Sequence, residues 1–123
     1  MKFSCEKALL QSAIGTAARA VSPKSSIPAL EGILLEAGND LRLTGYNLET
    51  GIRTTVPAQI EQGGSLVLSA RLFGEIIRKL PDDVVVLSAD GYMVHISCGM
   101  SHFNILATDP EDFPELPSVE DKN

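Results

Sequence analysis

The side chains able to do chemistry in this sequence fall into two groups. The first is of catalytic types: His95, His102, Asp109 and many serines, with Cys5 and Cys98 as thiols. Nucleophilic catalysis needs a nucleophile, a base within hydrogen-bond reach and a group that orients the base. No motif assembles these residues here, since there is no phosphate-binding glycine loop, no His-Glu-x-x-His and no Gly-x-Ser-x-Gly. Two histidines on strand-like segments are ordinarily polar strand residues, so the sequence does not argue for an enzyme. The cysteines have neither metal-ligand spacing nor the density of a disulfide framework, and they read as reduced, half-buried strand thiols. Nothing calls for a metal or a cofactor.

The second group is basic and concentrated. Residues 1 to 30 hold Lys2, Lys7, Arg19 and Lys24 against the single acid Glu6, and residues 70 to 79 hold Arg71, Arg78 and Lys79 against Glu75. The remaining segments are acidic, ending with Asp109, Glu111, Asp112, Glu115, Glu120 and Asp121 against Lys122, and the formal net charge is -6. That total argues against a simple basic nucleic-acid binder, because phosphate contacts need positive potential. Position matters more than the sum. Scattered lysines and arginines on one face suit mobile, sequence-independent phosphate contacts rather than the fixed reading of bases.

These residues must be positioned by something with a core. A chain of 123 residues, 44% hydrophobic and 21% charged, is sized for one globular domain. No apolar run reaches the roughly 20 residues that span a bilayer, and the start lacks an apolar signal core, so a cytoplasmic protein is expected.

Lys2 to Cys5 reads as an opening strand. Over residues 6 to 21, Leu9, Leu10, Ala13, Ile14, Ala17, Ala18 and Val21 form one apolar stripe of a helix ended by Ser22-Pro23, with Lys7, Gln11, Gly15 and Arg19 opposite. Ile33–Glu36, Leu41–Thr44 and Ile52–Val56 read as strands, with Gly38-Asn39-Asp40 as a turn and Gln62-Gly63-Gly64 as the break that closes the first half. The second half repeats the order. Ser65–Leu68 is a strand, Ser69 caps a helix bearing Leu72, Phe73, Ile76, Ile77 and Leu80, and Pro81 ends that helix. Val84–Leu87, Tyr92–Ser97 and His102–Ala107 then read as three strands. A duplicated strand, helix, three-strand unit predicts an α+β fold in which two helices pack on antiparallel sheets and turn their basic faces the same way.

Five strings on this repeat carry a resemblance: Met1-Lys2-Phe3, Ser26-Ile27-Pro28-Ala29-Leu30, Leu43-Thr44-Gly45-Tyr46-Asn47-Leu48-Glu49, Ser69-Ala70-Arg71-Leu72-Phe73 and Asp112-Phe113-Pro114-Glu115-Leu116. Together they resemble the N-terminal domain of the bacterial sliding clamp family, the DNA polymerase III beta subunits, over essentially the whole chain. The resemblance implies the DNA-clamp fold. It also implies that residues 1–123 are the first domain of a three-domain, non-catalytic processivity factor. Two such subunits join head to tail in a ring whose helices line a hole for duplex DNA and whose sheets form the outer wall. The partners implied are double-stranded DNA and a second subunit. The clamp loader and DNA polymerase III would be reached through domains absent from this chain, and no membrane is involved.

By the same resemblance Lys24, in the exposed Ser22–Ser26 loop, and Arg71, opening the second helix, meet the DNA backbone. Against this stand a solvated loop lysine and an ion pair of Arg71 with Glu75 four residues on. Lys7, Arg19, Arg78 and Lys79 are further candidates, with solubility and local pairing as their ordinary role. Phe103 and Ile105 share one face of the last strand, which is an edge suited to pairing with another subunit. They would either fill the domain's own core or form the apolar centre of that joint. Where the family often carries basic residues near this edge, the sequence has Met100 and His102. A lone first domain is expected to be monomeric and to bind DNA weakly. Two other classes compete: a helix-turn-helix regulator, with Ala13 to Leu35 as its two helices, and an acidic protein-interaction module.

Overall fold

A computed structural model describes residues 1–22, 24–116 and 121–122 of the chain. Strand β1 (Lys2–Glu6) leads into helix α1 (Lys7–Ala18), and a short 3-10 turn (Pro28–Glu31) opens β2 (Gly32–Ala37), β3 (Leu41–Tyr46) and β4 (Gly51–Val56). Two further strands, β5 (Gln59–Gln62) and β6 (Gly64–Ser69), precede helix α2 (Ala70–Lys79). After it come β7 (Val84–Asp90), β8 (Met93–Cys98) and β9 (Ser101–Leu106), then a 3-10 turn (Pro110–Asp112) and β10 (Asp121–Lys122).

The strands form two five-stranded sheets, ordered β5-β1-β7-β8-β9 and β10-β4-β3-β2-β6. The duplicated α+β order holds, but the halves do not build their sheets separately. β1 runs antiparallel to β7, with Lys2 opposite Ser88 and Glu6 opposite Val84. β6 runs antiparallel to β2, with Gly32 opposite Ser69 and Ala37 opposite Gly64. Each half therefore gives its first strand to the other half's sheet.

Between the sheets lies one core. Alternation puts Phe3 and Cys5 of β1, Val85 and Leu87 of β7, and Val94 and Ile96 of β8 on its inner side. The other sheet contributes Ile33, Leu35, Leu41, Leu43, Leu66 and Leu68, and the helices contribute Leu10, Ala13, Ile14, Ala17, Phe73 and Ile77. Close packing requires glycine most sharply at one position. A Cβ on Gly45 of β3 would collide with the backbone carbonyl of Ala17, where α1 crosses the sheet. Both cysteines are free and buried. Burial, helped by the Glu6 carboxylate, pushes the Cys5 thiol up to about 11.

A smaller apolar cluster covers the opposite face of the second sheet. Leu30, Tyr46, Val67 and Phe113 are buried there, with Ile27, Leu34 and Leu116 against them. The segment after β9 is held to β6 by paired backbone bonds, Val67 N–H to Thr108 O at 3.2 Å and Thr108 N–H to Val67 O at 2.9 Å.

Three expectations need correction, and one strand is additional to those read from the sequence. Helix α1 ends at Ala18, not before Pro23, because Ala20 and Val21 N–H groups turn back to carbonyls three residues earlier, at 3.1 and 3.0 Å. Leu9, placed on its apolar stripe, is 42% exposed, and Leu72 of α2 is 39% exposed. Gln59–Gln62, with no apolar alternation, is a strand because β1 offers it an open edge, with Phe3 opposite Ile60. The helix-turn-helix reading fails, since Gly32–Ala37 is a paired strand in place of a recognition helix.

Substituting Gly45 by Ala is expected to lower unfolding stability by about 2–3 kcal/mol through forced overlap with α1. Gly15→Ala, with nothing near its Cβ in mid-helix, should raise stability by about 0.5–1 kcal/mol. Urea denaturation of both variants measures the contrast, and equal effects would contradict the crossing described.

Candidate nucleic-acid interface

The two helices lie side by side and antiparallel. Lys7, at the start of α1, reaches the end of α2, while Ala18, Val21 and Ser22 share a depression with Ser69, Ala70 and Arg71 at the start of α2. Small residues line their approach. Ile14 is the nearest neighbour a Cβ on Gly74 would meet, at 3.8 Å. A groove of about 450 Å³ runs between them, lined by Gln11, Gly15, Ala18, Ala70, Arg71, Gly74, Glu75 and Arg78, with Ile14 at its floor.

Helix α2 is set by its ends. The Ser69 hydroxyl accepts the Leu72 N–H at 3.3 Å as an N-cap, and Leu80-Pro81 closes the helix in extended geometry. Phe73 and Ile77 are buried beneath it, which turns Arg71, Arg78 and Lys79 outward. Arg71 pairs with Glu75 at 3.6 Å, with the arginine side chain 74% exposed. An exposed pair of this kind contributes only a few tenths of a kcal/mol, about 0.3–0.5, so Arg71 remains available to another anion. Arg78 and Lys79 occupy the last turn, where they also complement the helix dipole.

Lys24 and Arg19 are exposed, Lys24 in the loop after α1 and Arg19 at its C-cap. The Ser22 hydroxyl donates to the Lys24 carbonyl at 2.8 Å, shaping this loop beside the depression that Ser22 and Arg71 line. Lys24, Arg19 and Arg71 thus gather at one end of the helix pair, with Arg78 and Lys79 at the other.

Lys7 stands apart from these. Its ammonium donates to the Leu80 carbonyl at 2.6 Å and the Arg78 carbonyl at 3.3 Å, groups left without helical partners at the C-terminus of α2. Its own backbone N–H donates to Asp83 O at 3.0 Å. Lys7 is therefore committed to joining the helices, an interaction across more than seventy positions that spacing along the chain does not announce. Sequence reasoning also passed over Gly74, which lines the groove between the helices; its signal was glycine inside a helical pattern.

On the last strand, Ile105 is buried in the domain's own core and Phe103 is half-buried against it. Both point inward, while the backbone edge of β9 pairs only with β8 among the described residues. His95 Nδ1 lies 2.7 Å from Asn104 Oδ1 on the outward side. His102 is exposed, and Asp109 accepts the Tyr92 hydroxyl at 2.9 Å, which raises the phenol. Among the described residues no cluster of His, Cys, Asp or Glu is placed to hold a metal ion, and no helix is long and apolar enough to cross a membrane.

Comparison with known proteins gives one consistent result. Residues 1–117 match the family model described as DNA polymerase III beta subunit, N-terminal domain. The chain is 33% identical over 120 residues to the beta sliding clamp of Micrococcus luteus, covering 97% of this chain and 39% of that one. It is 35% identical over 130 residues to that of Synechocystis, covering 98% and 33%. Among solved structures, the DNA polymerase sliding clamp of Bacillus subtilis superposes with a TM-score of 0.92 at 33% identity, covering 98% of this chain and 34% of that one. The beta subunit from the DNA polymerase of Streptococcus pyogenes does so at 0.91 and 31%, covering 100% and 34%. The chain thus spans about a third of the length of the relatives it matches.

Replacing Lys7 by Met keeps the stem and removes the donor. The expected outcome is a loss of about 1–2 kcal/mol in unfolding stability, with no change in the salt dependence of DNA binding by the full-length protein. A reduced salt slope would return Lys7 to the set of phosphate contacts.

Proposed function

This chain belongs to the family of DNA polymerase III beta subunits, in its N-terminal domain, and from that membership we propose that it is the first domain of a three-domain sliding clamp subunit. In this reading the whole protein is a non-catalytic processivity factor. Two subunits join head to tail around duplex DNA, and the polymerase and clamp loader are held through parts of the subunit outside this chain.

The observation that carries the reading is the antiparallel helix pair. It offers a flat, groove-lined face with Arg71 and Arg78 at the groove and Arg19, Lys24 and Lys79 beside it, while the sheets lie behind. Such a face suits backbone contact without base recognition. Its side chains are long, exposed and few, and an adjacent carboxylate already competes for Arg71. Phosphate contacts of this kind release counterions, so binding falls with salt by a log–log slope near 0.9 per contact. Exposed acids such as Glu61, Asp90 and Glu111 lie on strands and turns, and Glu31 and Glu75 stand beside Arg71, so phosphates would meet scattered cations interrupted by carboxylates. Lys7 is not assigned to DNA. Phe103 is the inward residue of β9 with surface left to give to a second subunit.

In the full-length protein, Lys24→Ala with Arg71→Ala is expected to weaken DNA affinity about tenfold and to reduce the salt slope by up to about 2. An unchanged slope would remove both from the contact set. For the function itself, the loaded full-length protein should stay on circular duplex and leave linear duplex by its ends, measured by gel filtration of labelled complexes. Equal retention on both would overturn encirclement.

A further inference from the structure

Arg71 stands where a helix least favours a cation. It is the second residue of α2, and the partial positive charge of the helix N-terminus opposes it. Among Ala70 to Phe73 there is no acid to offset it. Its ion pair does not restore the balance, because a carboxylate four residues after the cation is the weaker of the two helical orders. Exchanging the two residue types would serve the helix better on both counts. The arrangement therefore serves something outside the helix, and it leaves the arginine side chain 74% exposed.

Two carboxylates flank it there. Arg71 lines both hollows at this end of the helix pair: the groove between the helices, which Glu75 shares, and a second depression of about 340 Å³ formed with Ser22, Ser69 and Glu31. Glu75 is half-buried and lies 3.6 Å from the guanidinium, while Glu31 is exposed on the turn before β2. Water and salt screen a half-buried carboxylate less than a free one, so Glu75 is felt by any anion that approaches Arg71. A phosphate that takes Arg71 competes with Glu75 for the guanidinium and stands beside two negative charges.

We infer that Glu75, assisted by Glu31, competes with the DNA backbone for Arg71 and so sets the strength of contact at this end of the helix pair. The inference rests on the clamp reading and concerns the regulation of its DNA face, where affinity is held below what the cations alone would give. Glu75 acts through Arg71 and is not itself a contact. The rival partner is Arg78, three residues beyond Glu75 in the same groove and in the order a helix favours. The pair at 3.6 Å singles out Arg71.

Anisotropy titrations of the full-length protein against a labelled duplex, from about 50 to about 300 mM NaCl, test this. Glu75→Gln keeps the size of the side chain and removes its charge. It should tighten binding about threefold at the low end of that range and steepen the salt slope by up to about 1, as Arg71 becomes a full phosphate contact. Glu31→Gln should give a smaller gain. In an Arg71→Ala background the Glu75→Gln gain should vanish, whereas in an Arg78→Ala background it should persist. If Arg71→Ala weakens binding but Glu75→Gln has no effect, or its gain survives the loss of Arg71, the competition is overturned and the DNA face stands. Binding indifferent to both Arg71→Ala and Glu75→Gln would overturn the contact together with its competitor.

Discussion

The backbone ladders that join β1 to β7 and β2 to β6 are the constraint on which the rest of this domain depends. Through them each half supplies its opening strand to the sheet of the other half, so neither half closes a sheet on its own residues. The chain then passes between the layers through each helix, in opposite senses, besides the passages on either side of β5 and after β9. That places both helices between their own strand in one sheet and the next strand in the other, and it runs them antiparallel. The shared core of Phe3, Leu10, Leu35, Phe73, Ile77 and Leu87 is the apolar result. The polar faces of both helices turn outward together for the same reason, and they expose Arg19, Arg71, Arg78 and Lys79.

The strings on which the family resemblance rests have a physical explanation in the second apolar cluster. Ile27 and Leu30 come from Ser26–Leu30, Tyr46 from Leu43–Glu49, and Phe113 and Leu116 from Asp112–Leu116, and all five meet across the outer face of one sheet. Gly45 in the same string is where α1 crosses the sheet too closely for a side chain. In Ser69–Phe73 the cap, the exposed Arg71 and the buried Phe73 follow one another along a single turn. Strings far apart along the chain therefore record a few places where packing leaves little freedom. They do not mark a site of chemistry.

Much of this was legible because local rules decided it. Ser69 and Pro81 bracket α2 as their chemistry dictates, and the turn at Gly38–Asp40 separates strands as read, whereas Ala89 and Asp90 belong to β7 and the chain turns at Gly91-Tyr92. What was not legible depended on partners chosen elsewhere. Gln59–Gln62 has no strand pattern of its own and is ordered by the edge of β1. The exchange of opening strands leaves no trace in the order of elements, because a strand's periodicity does not name its neighbour. At the site, Arg71 and its pairing with Glu75 followed from four-residue spacing, and the exposure of Lys24 followed from its loop. The use of Lys7 did not, since the carbonyls it meets are orphaned by a helix end far along the chain. That Phe103 and Ile105 share a face followed from alternation, but which way that face turns did not.

Arg71 and Glu75 also bear on motion. A cation that grips a phosphate with no alternative partner must be pulled free each time the duplex advances, and the barrier to that step acts as friction. Arg71 has a carboxylate at 3.6 Å to fall back on. In the proposed clamp its guanidinium would trade one anion for another of similar strength, and the energy of the contact would stay nearly level as the backbone passed. The acid four residues along the helix would then act as a lubricant, weakening the hold at rest and smoothing the path of the duplex.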